Sequence, residues 1–271
     1  MTQILPLGAG RKGSAANALL TTGQLTQYSS ELDDGYYKSG TVKSFTVNTT
    51  GSQSGTTNID LPHLVSSAVS FDAATKEIRG TGLMGVFKAA GGETIVVTNS
   101  TLNNGTFTTA SATADKIVVT GTLVDESAGA SLTIAKREAL SNNTVKDNKT
   151  GLTWLRYVPV KFGALGTGLM PWTGQVYDIF AFAALANTNS LGGYTDWRVP
   201  NDFELGSLRD MEAPSAVPDS TAFPSWPTST FVWTSTTRPN GTTTKMVFIF
   251  STGEESYNVT TAAYFCALVR G

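Results

Sequence analysis

The side chains best suited to acid–base chemistry lie together in Gly192–Leu208, GGYTDWRVPNDFELGSL. Asp196, Arg198, Asp202 and Glu204 would form a proton-transfer or cation-binding cluster if they converged. A simpler account covers the same spacing. Asn201 is a good helix N-cap, and Glu204 three residues on completes a capping box for a helix with Phe203, Leu205 and Leu208 on its apolar side. Asp196 and Arg198 then tie the preceding turn together, so a structural role is preferred. The remaining reactive groups are sparse. His63 is the only histidine and stands beside Pro62 with no second ligand nearby, which favours a loop or core residue. A Ser/His/Asp triad would have to recruit His63 from a region remote from every promising serine. Cys266 is the only cysteine, so there is no intrachain disulfide, and zinc lacks ligands. Glu254, Glu255 and Asn258 offer oxygens for calcium, but a solvated charged loop is the preferred reading. No enzymatic activity, metal or cofactor is expected.

Composition narrows the class. The chain has 271 residues, 40% hydrophobic and 15% charged, with a net charge of −2. It is long enough for a substantial core, and its surface is rich in Thr, Ser, Asn and Gly rather than charge. That balance provides no electrostatic footprint for nucleic acid. There is no long apolar run, so membrane insertion is not expected. The N-terminal MTQILPLGAGRKGSAANALL lacks the order of a secretory signal peptide. A virion (tail or surface) or extracellular location, reached by assembly rather than secretion, suits these features.

The elements that must position these groups fall into two styles. From about 44 to 140 the pattern is all-β: Val42–Val47, Val69–Phe71, Glu77–Arg79, Thr94–Thr98, Phe107–Thr109, Lys116–Val119 and Ser131–Ile134 are short β-branched runs. Turn clusters such as Asn103-Asn104-Gly105 and Ser127–Gly129 separate them. A sandwich or small barrel is expected. From 141 onward the pattern mixes strand and helix. Asp147–Thr150 is a turn before a strand with Trp154, and Gln175–Asn187 reads as a helix whose Val176, Ile179, Phe180 and Ala183 face a core. After Pro214–Pro227, a proline-rich surface loop, the tail alternates Thr/Asn/Gly-rich loops with a strand at Met246–Phe250. Exposed apolar residues ringed by hydroxyls, an amide and a tyrosine make a binding patch, although an ordinary hairpin covered on both faces has the same composition.

The DWR stretch also carries a resemblance. GGYTDWRVPNDFEL resembles the GG-x-x-DWR-[LV]-P-x-x-x-EL core of the C-type-lectin-like domain of bacterial collagen-like adhesins and of retroelement-diversified variable proteins, including phage receptor-binding proteins. DNKTGLTWLR at Asp147–Arg156, Trp172, VWTST at Val232–Thr236, Gly253 and the closing Val269-Arg270-Gly271 agree in order. TGQLTQYSSELDDGYYKSG at Thr22–Gly40 is similar to a segment found upstream of this core in phage relatives. The resemblance implies an α+β fold: residues 1–43 an N-terminal arm and upstream part of the module, 44–140 an inserted all-β domain, and 141–271 the C-type-lectin-like ligand-binding domain.

In such a domain Trp154, Asp196, Trp197, Arg198, Glu204 and Trp233 form the rigid frame. The resemblance places Met246, Phe248 and Phe250 inside and leaves Val247 and Ile249 facing out. The variable, ligand-binding face would then comprise Thr236, Thr237, Arg238, Asn240, Thr242, Thr243, Lys245, Val247, Ile249, Glu255, Tyr257 and Asn258. Its partner would be a bacterial cell-surface protein or glycan, with a homo-oligomer or other virion proteins as further partners. The alternatives are a fixed-specificity polysaccharide-binding adhesin and a structural virion protein. Related lectin-like enzymes that oxidise cysteine use a cysteine pair, which this chain lacks; relatives also carry an Arg where this chain has Ala267.

Overall fold

The computed structural model describes residues 43–156, 168–210, 218–224, 226–239 and 241–271. The arm at 1–21, the Thr22–Gly40 segment and Asn240 therefore lie outside the described residues. From the N-terminal side the strands are β1 (Phe45–Asn48), β2 (Thr56–Ser66), β3 (Ser70–Asp72), β4 (Glu77–Arg79), β5 (Thr94–Thr98), β6 (Gly105–Ala112), β7 (Lys116–Val119) and β8 (Leu132–Ser141). There follow β9 (Thr144–Asp147), β10 (Thr153–Leu155), β11 (Met170–Pro171), helix α1 (Ile179–Thr188), helix α2 (Asp202–Gly206), β12 (Phe231–Thr237), β13 (Thr244–Ile249), β14 (Glu254–Val259), β15 (Ala263–Tyr264) and β16 (Val269–Arg270). The fold is β-rich with few helices.

Residues 56–141 build one antiparallel sheet in the order β2-β8-β5-β6-β7-β4-β3. Its register shifts within β6 between Thr109 and Ser111, where pairing passes from β5 to β7. Such an irregularity bends a strand. Ile95, Val97, Leu132 and Ile134 from one half share a core with Phe71, Ile78, Ile117 and Val119 from the other. The longest strand, β2, is not revealed by sequence patterning because Pro62 interrupts it, and β14 forms where a charged loop was expected. Pro62 is tolerated because β2 lies at the sheet's edge and shifts register between Pro62 and Leu64. His63, next in line, is buried: its ring stacks on Tyr177 at 4.8 Å and Nδ1 lies 2.8 Å from the Leu61 carbonyl.

The strands that flank this sheet in sequence pair with each other. β1 runs antiparallel to β9, Phe45 opposite Asp147, and the sheet continues through β10 to β16. The long strands β2 and β8 also reach into a second core. Ile59, Leu61 and Leu140 pack with Phe182, Ala186, Leu191 and Trp197 around α1. The resulting contact is close at the glycine pair that leads into the DWR stretch. Gly192 and Gly193 have φ of 65° and 81°, a region open mainly to glycine. A Cβ on Gly192 would stand 2.8 Å from Thr144 Cγ2, and one on Gly193 would collide with Ser52. The third core, with Trp154, Leu205, Leu208, Phe248 and Phe250, lies between the four-stranded sheet, α2 and the sheet β12-β13-β14.

One carboxylate organises the loop at 100–104. Glu126 accepts from Ser100 Oγ at 2.6 Å, the Thr101 amide at 2.8 Å, the Leu102 amide at 2.9 Å and Asn103 Nδ2 at 2.9 Å. Burial pushes its carboxyl up, but these donors outweigh it and lower the pKa from 4.5 to about 2. A folded-state pKa below the unfolded one stabilises the protein above pH 4.5, and that contribution is lost as pH falls toward 2. Glu126→Gln is therefore expected to cost about 1–3 kcal/mol at pH 7. The gap between variant and wild type, measured by urea unfolding at a series of pH values, should narrow below pH 4.5. A gap that does not depend on pH would contradict this assignment.

Candidate ligand-binding site

The stretch from Asp196 to Glu204 is a joint. Arg198 forks onto Glu204, Nη1 to Oε2 at 2.7 Å and Nη2 to Oε1 at 2.6 Å. Glu204 Oε2 also accepts the Asn201 amide at 2.9 Å, and Asn201 Oδ1 accepts the Glu204 amide at 2.8 Å, which completes the capping box. Burial raises the Glu204 carboxyl, but the Arg198 and Asn201 donors leave it below the usual range. Asp196 does not pair with Arg198 as expected. It accepts from Arg270 Nε at 2.7 Å, a bond that holds its carboxyl low. Arg198 and Val269 are joined as a backbone bridge, so Arg270 is brought alongside Asp196. Trp197 is buried, its indole donating to Leu191 O at 2.7 Å, and Trp233 donates to Met170 O at 2.8 Å. Trp154 is also fully buried. These carboxylates are lowered by cations rather than raised toward neutrality, so they do not resemble a poised general acid. Cys266 is buried, and desolvation pushes its thiol up, away from the nucleophilic thiolate.

The expected variable face is divided between the two sides of β12-β13-β14. Val247, expected to face out, is fully buried with Trp233, Cys266 and Leu268. Ile249 is half-buried, and Lys245 is only 7% exposed. The correction has a plain cause: α1 and the segment after β11 cover one face of β13, while α2 covers the other through Leu205 and Phe248. Thr236 is spent on structure, since its hydroxyl donates to Asp202 Oδ1 at 2.8 Å and accepts the Asp202 amide at 3.1 Å. Thr237, Arg238, Thr242, Thr243, Glu255 and Tyr257 are exposed, and Asn258 is half-buried. Glu254 and Glu255 are consecutive in β14 and point to opposite faces, so they do not converge with Asn258 as cation ligands.

Two clusters result. On one face Lys245 lies opposite Asn258, and its Nζ donates to Thr237 Oγ1 at 2.9 Å while standing 4.2 Å from the centre of the Trp172 ring. Trp172 is fixed by its own bonds: Nε1 donates to Thr234 O at 3.0 Å, and its amide donates to Thr260 O at 2.9 Å. Phe180 meets it edge-on at 4.7 Å. Among the described residues the Lys245 ammonium has no carboxylate partner. An ammonium carries three donors, and a hydroxyl plus a ring face leave it capacity for an acceptor from outside. On the other face the Arg238 guanidinium lies 5.1 Å from the centre of the Tyr257 ring, and Glu255 lies 4.0 Å from Arg209.

Sequence patterning did not identify Trp172 or Phe180 as part of this rim. The helix begins at Ile179 rather than Gln175 because Asp178 caps it, accepting from the Phe180 and Ala181 amides. Ile179, Phe182, Ala183 and Ala186 form its buried face, which leaves Val176 and Phe180 exposed, with Phe180 against Trp172. The aspartate directly before an apolar run was the available signal.

Comparison with curated proteins and with solved structures found no match. Comparison with family models did: residues 143–270, from β9 through β16, match the Lcl C-terminal domain.

Proposed function

We propose that residues 143–270 adopt a C-type-lectin-like fold and serve as a non-enzymatic display platform. The match of residues 143–270 to the Lcl C-terminal domain supports a lectin-like, ligand-binding display domain. The finer reading is a receptor-binding protein of a phage or other virion that recognises a bacterial surface protein or glycan. Its exposed tail positions would be diversified by a retroelement. The observation that carries ligand binding is Lys245: a nearly buried ammonium, held against Trp172 and Thr237, without an acid among the described residues. Such a group is costly to bury for stability alone. Beside it Asn258, Thr237 and Trp172 supply an amide, a hydroxyl and an indole, the vocabulary of polar ligand recognition. The frame at 196–204 limits rearrangement on binding. A fixed-specificity polysaccharide adhesin is the second reading, favoured by the pairing of a cation with an aromatic ring at this site.

Lys245→Met separates stability from binding. An apolar side chain of similar length removes the buried charge, so the melting temperature should stay constant or rise. Binding to an array of bacterial surface glycans and to whole bacteria should fall by at least about tenfold, the loss of one charge-assisted contact. Binding that survives this substitution, in a protein that still melts cooperatively, would refute the site. Binding by wild type that is confined to polysaccharides and constant across natural variants would favour the adhesin reading.

A further inference from the structure

β14 is the outer strand of β12-β13-β14, and among the described residues no strand pairs with its far side. The direction of its backbone groups follows from one bond. Thr260 N–H donates to Thr243 O, continuing the β13–β14 register. Antiparallel alternation then turns the amides and carbonyls of Ser256 and Asn258 toward β13. Those of Glu255 and Tyr257 point to the open edge. The strand has no proline and no register shift along its pairing with β13, so it lacks two common devices that blunt an edge. It does carry Glu254 and Glu255, which would deter pairing with a partner that offers no cation.

We propose that this edge joins two copies of the chain through antiparallel β14–β14 pairing about a two-fold axis at Ser256. In that register Glu255 of one copy faces Tyr257 of the other, and the outward N–H and C=O of both residues are used in each direction. The arrangement is self-complementary and closed, as an isologous contact must be. Charge selects a second copy over an unrelated strand. Arg238 lies over the Tyr257 ring, 5.1 Å from its centre. Among the described residues Arg238 forms no ion pair with an acid, so its charge is available to a neighbour. Directly opposed residues in a hydrogen-bonded antiparallel pair have Cα atoms about 5.5 Å apart. Glu255 of the second copy therefore comes within reach of this guanidinium, and the symmetric contact forms at the other end. Among the described residues of its own chain, Glu255 has only the long 4.0 Å ion pair with Arg209, and this register adds the second cation. Pairing places the two Lys245 clusters on one continuous sheet, although the contact itself does not depend on what those clusters bind.

The contact is small, so association should be concentration-dependent. Sedimentation equilibrium of the full chain should show reversible doubling of mass. Tyr257→Pro removes an outward amide together with the ring beneath Arg238, leaves every bond between β13 and β14 in place, and should weaken association by at least tenfold while far-UV dichroism and melting stay close to wild type. Arg238→Glu and Glu255→Arg should each weaken it similarly, and the double variant should restore it, which no folding defect would do. A wild type that remains monomeric at the highest soluble concentration overturns the proposal. So does self-association that is insensitive to Tyr257→Pro, or a charge swap that fails to recover association in a folded double variant.

Discussion

The fork from Arg198 to Glu204 stands where two sheets and α1 meet, and it fixes the stretch that joins them. Glu204 caps α2 only because its second function, accepting the Asn201 amide, is compatible with the Arg198 pair. The same few residues reach out through their backbone. Arg198 exchanges amide and carbonyl bonds with Val269 at 2.9 Å each, and Pro200 O accepts from the Ser235 amide at 2.7 Å. Asn187 on α1 brackets Trp197, with Oδ1 accepting its amide and Nδ2 donating to its carbonyl. One short stretch thus touches the four-stranded sheet, the three-stranded sheet and α1. A bidentate, partly buried ion pair has directional demands that an apolar contact lacks, and that direction is what orients the two sheets.

Rigidity at that joint has a consequence for the tail. With both faces of β13 covered, tail side chains can vary without loss of the core only along the loops, at the exposed end of β12 and on β14. Lys245 is the exception, a charge carried inside the covered region. Its burial against Trp172 costs stability that a ligand contact would offset, and natural proteins accept such local costs at functional positions. The seven-stranded sheet is coupled to the same frame through Ile59, Leu61 and Leu140, so the display face is braced from the far side of α1 as well.

Much of this was legible in the residues alone. The capping box follows from Asn201 and Glu204 at their spacing, and the strands at Glu77–Arg79, Thr94–Thr98 and Lys116–Val119 coincide with β-branched runs. Other features were hidden for identifiable reasons. Pro62 disguised β2, since sequence does not reveal that a strand lies at an edge. Alternation correctly separated Val247 from Phe248, but it cannot say that a second face is covered by chain from elsewhere. Asp196 and Arg198 are neighbours of opposite charge, and only the return of the C-terminal strand assigns Asp196 to Arg270. Of the positions expected on the tail's face, Thr237, Lys245 and Asn258 lie together, whereas Thr236 and Val247 are spent on the scaffold.

The central claim is a fixed frame carrying a changeable face, and natural variation tests it most directly. Deep sequencing of this gene across a natural population would record which codons change. The account predicts substitutions at adenines in codons for exposed tail positions, among them Thr237, Thr242 and Thr243, with Trp172, Val247 and the stretch from Asp196 to Glu204 unchanged. A tail that never varies, or substitutions spread evenly over buried and exposed positions, would contradict it.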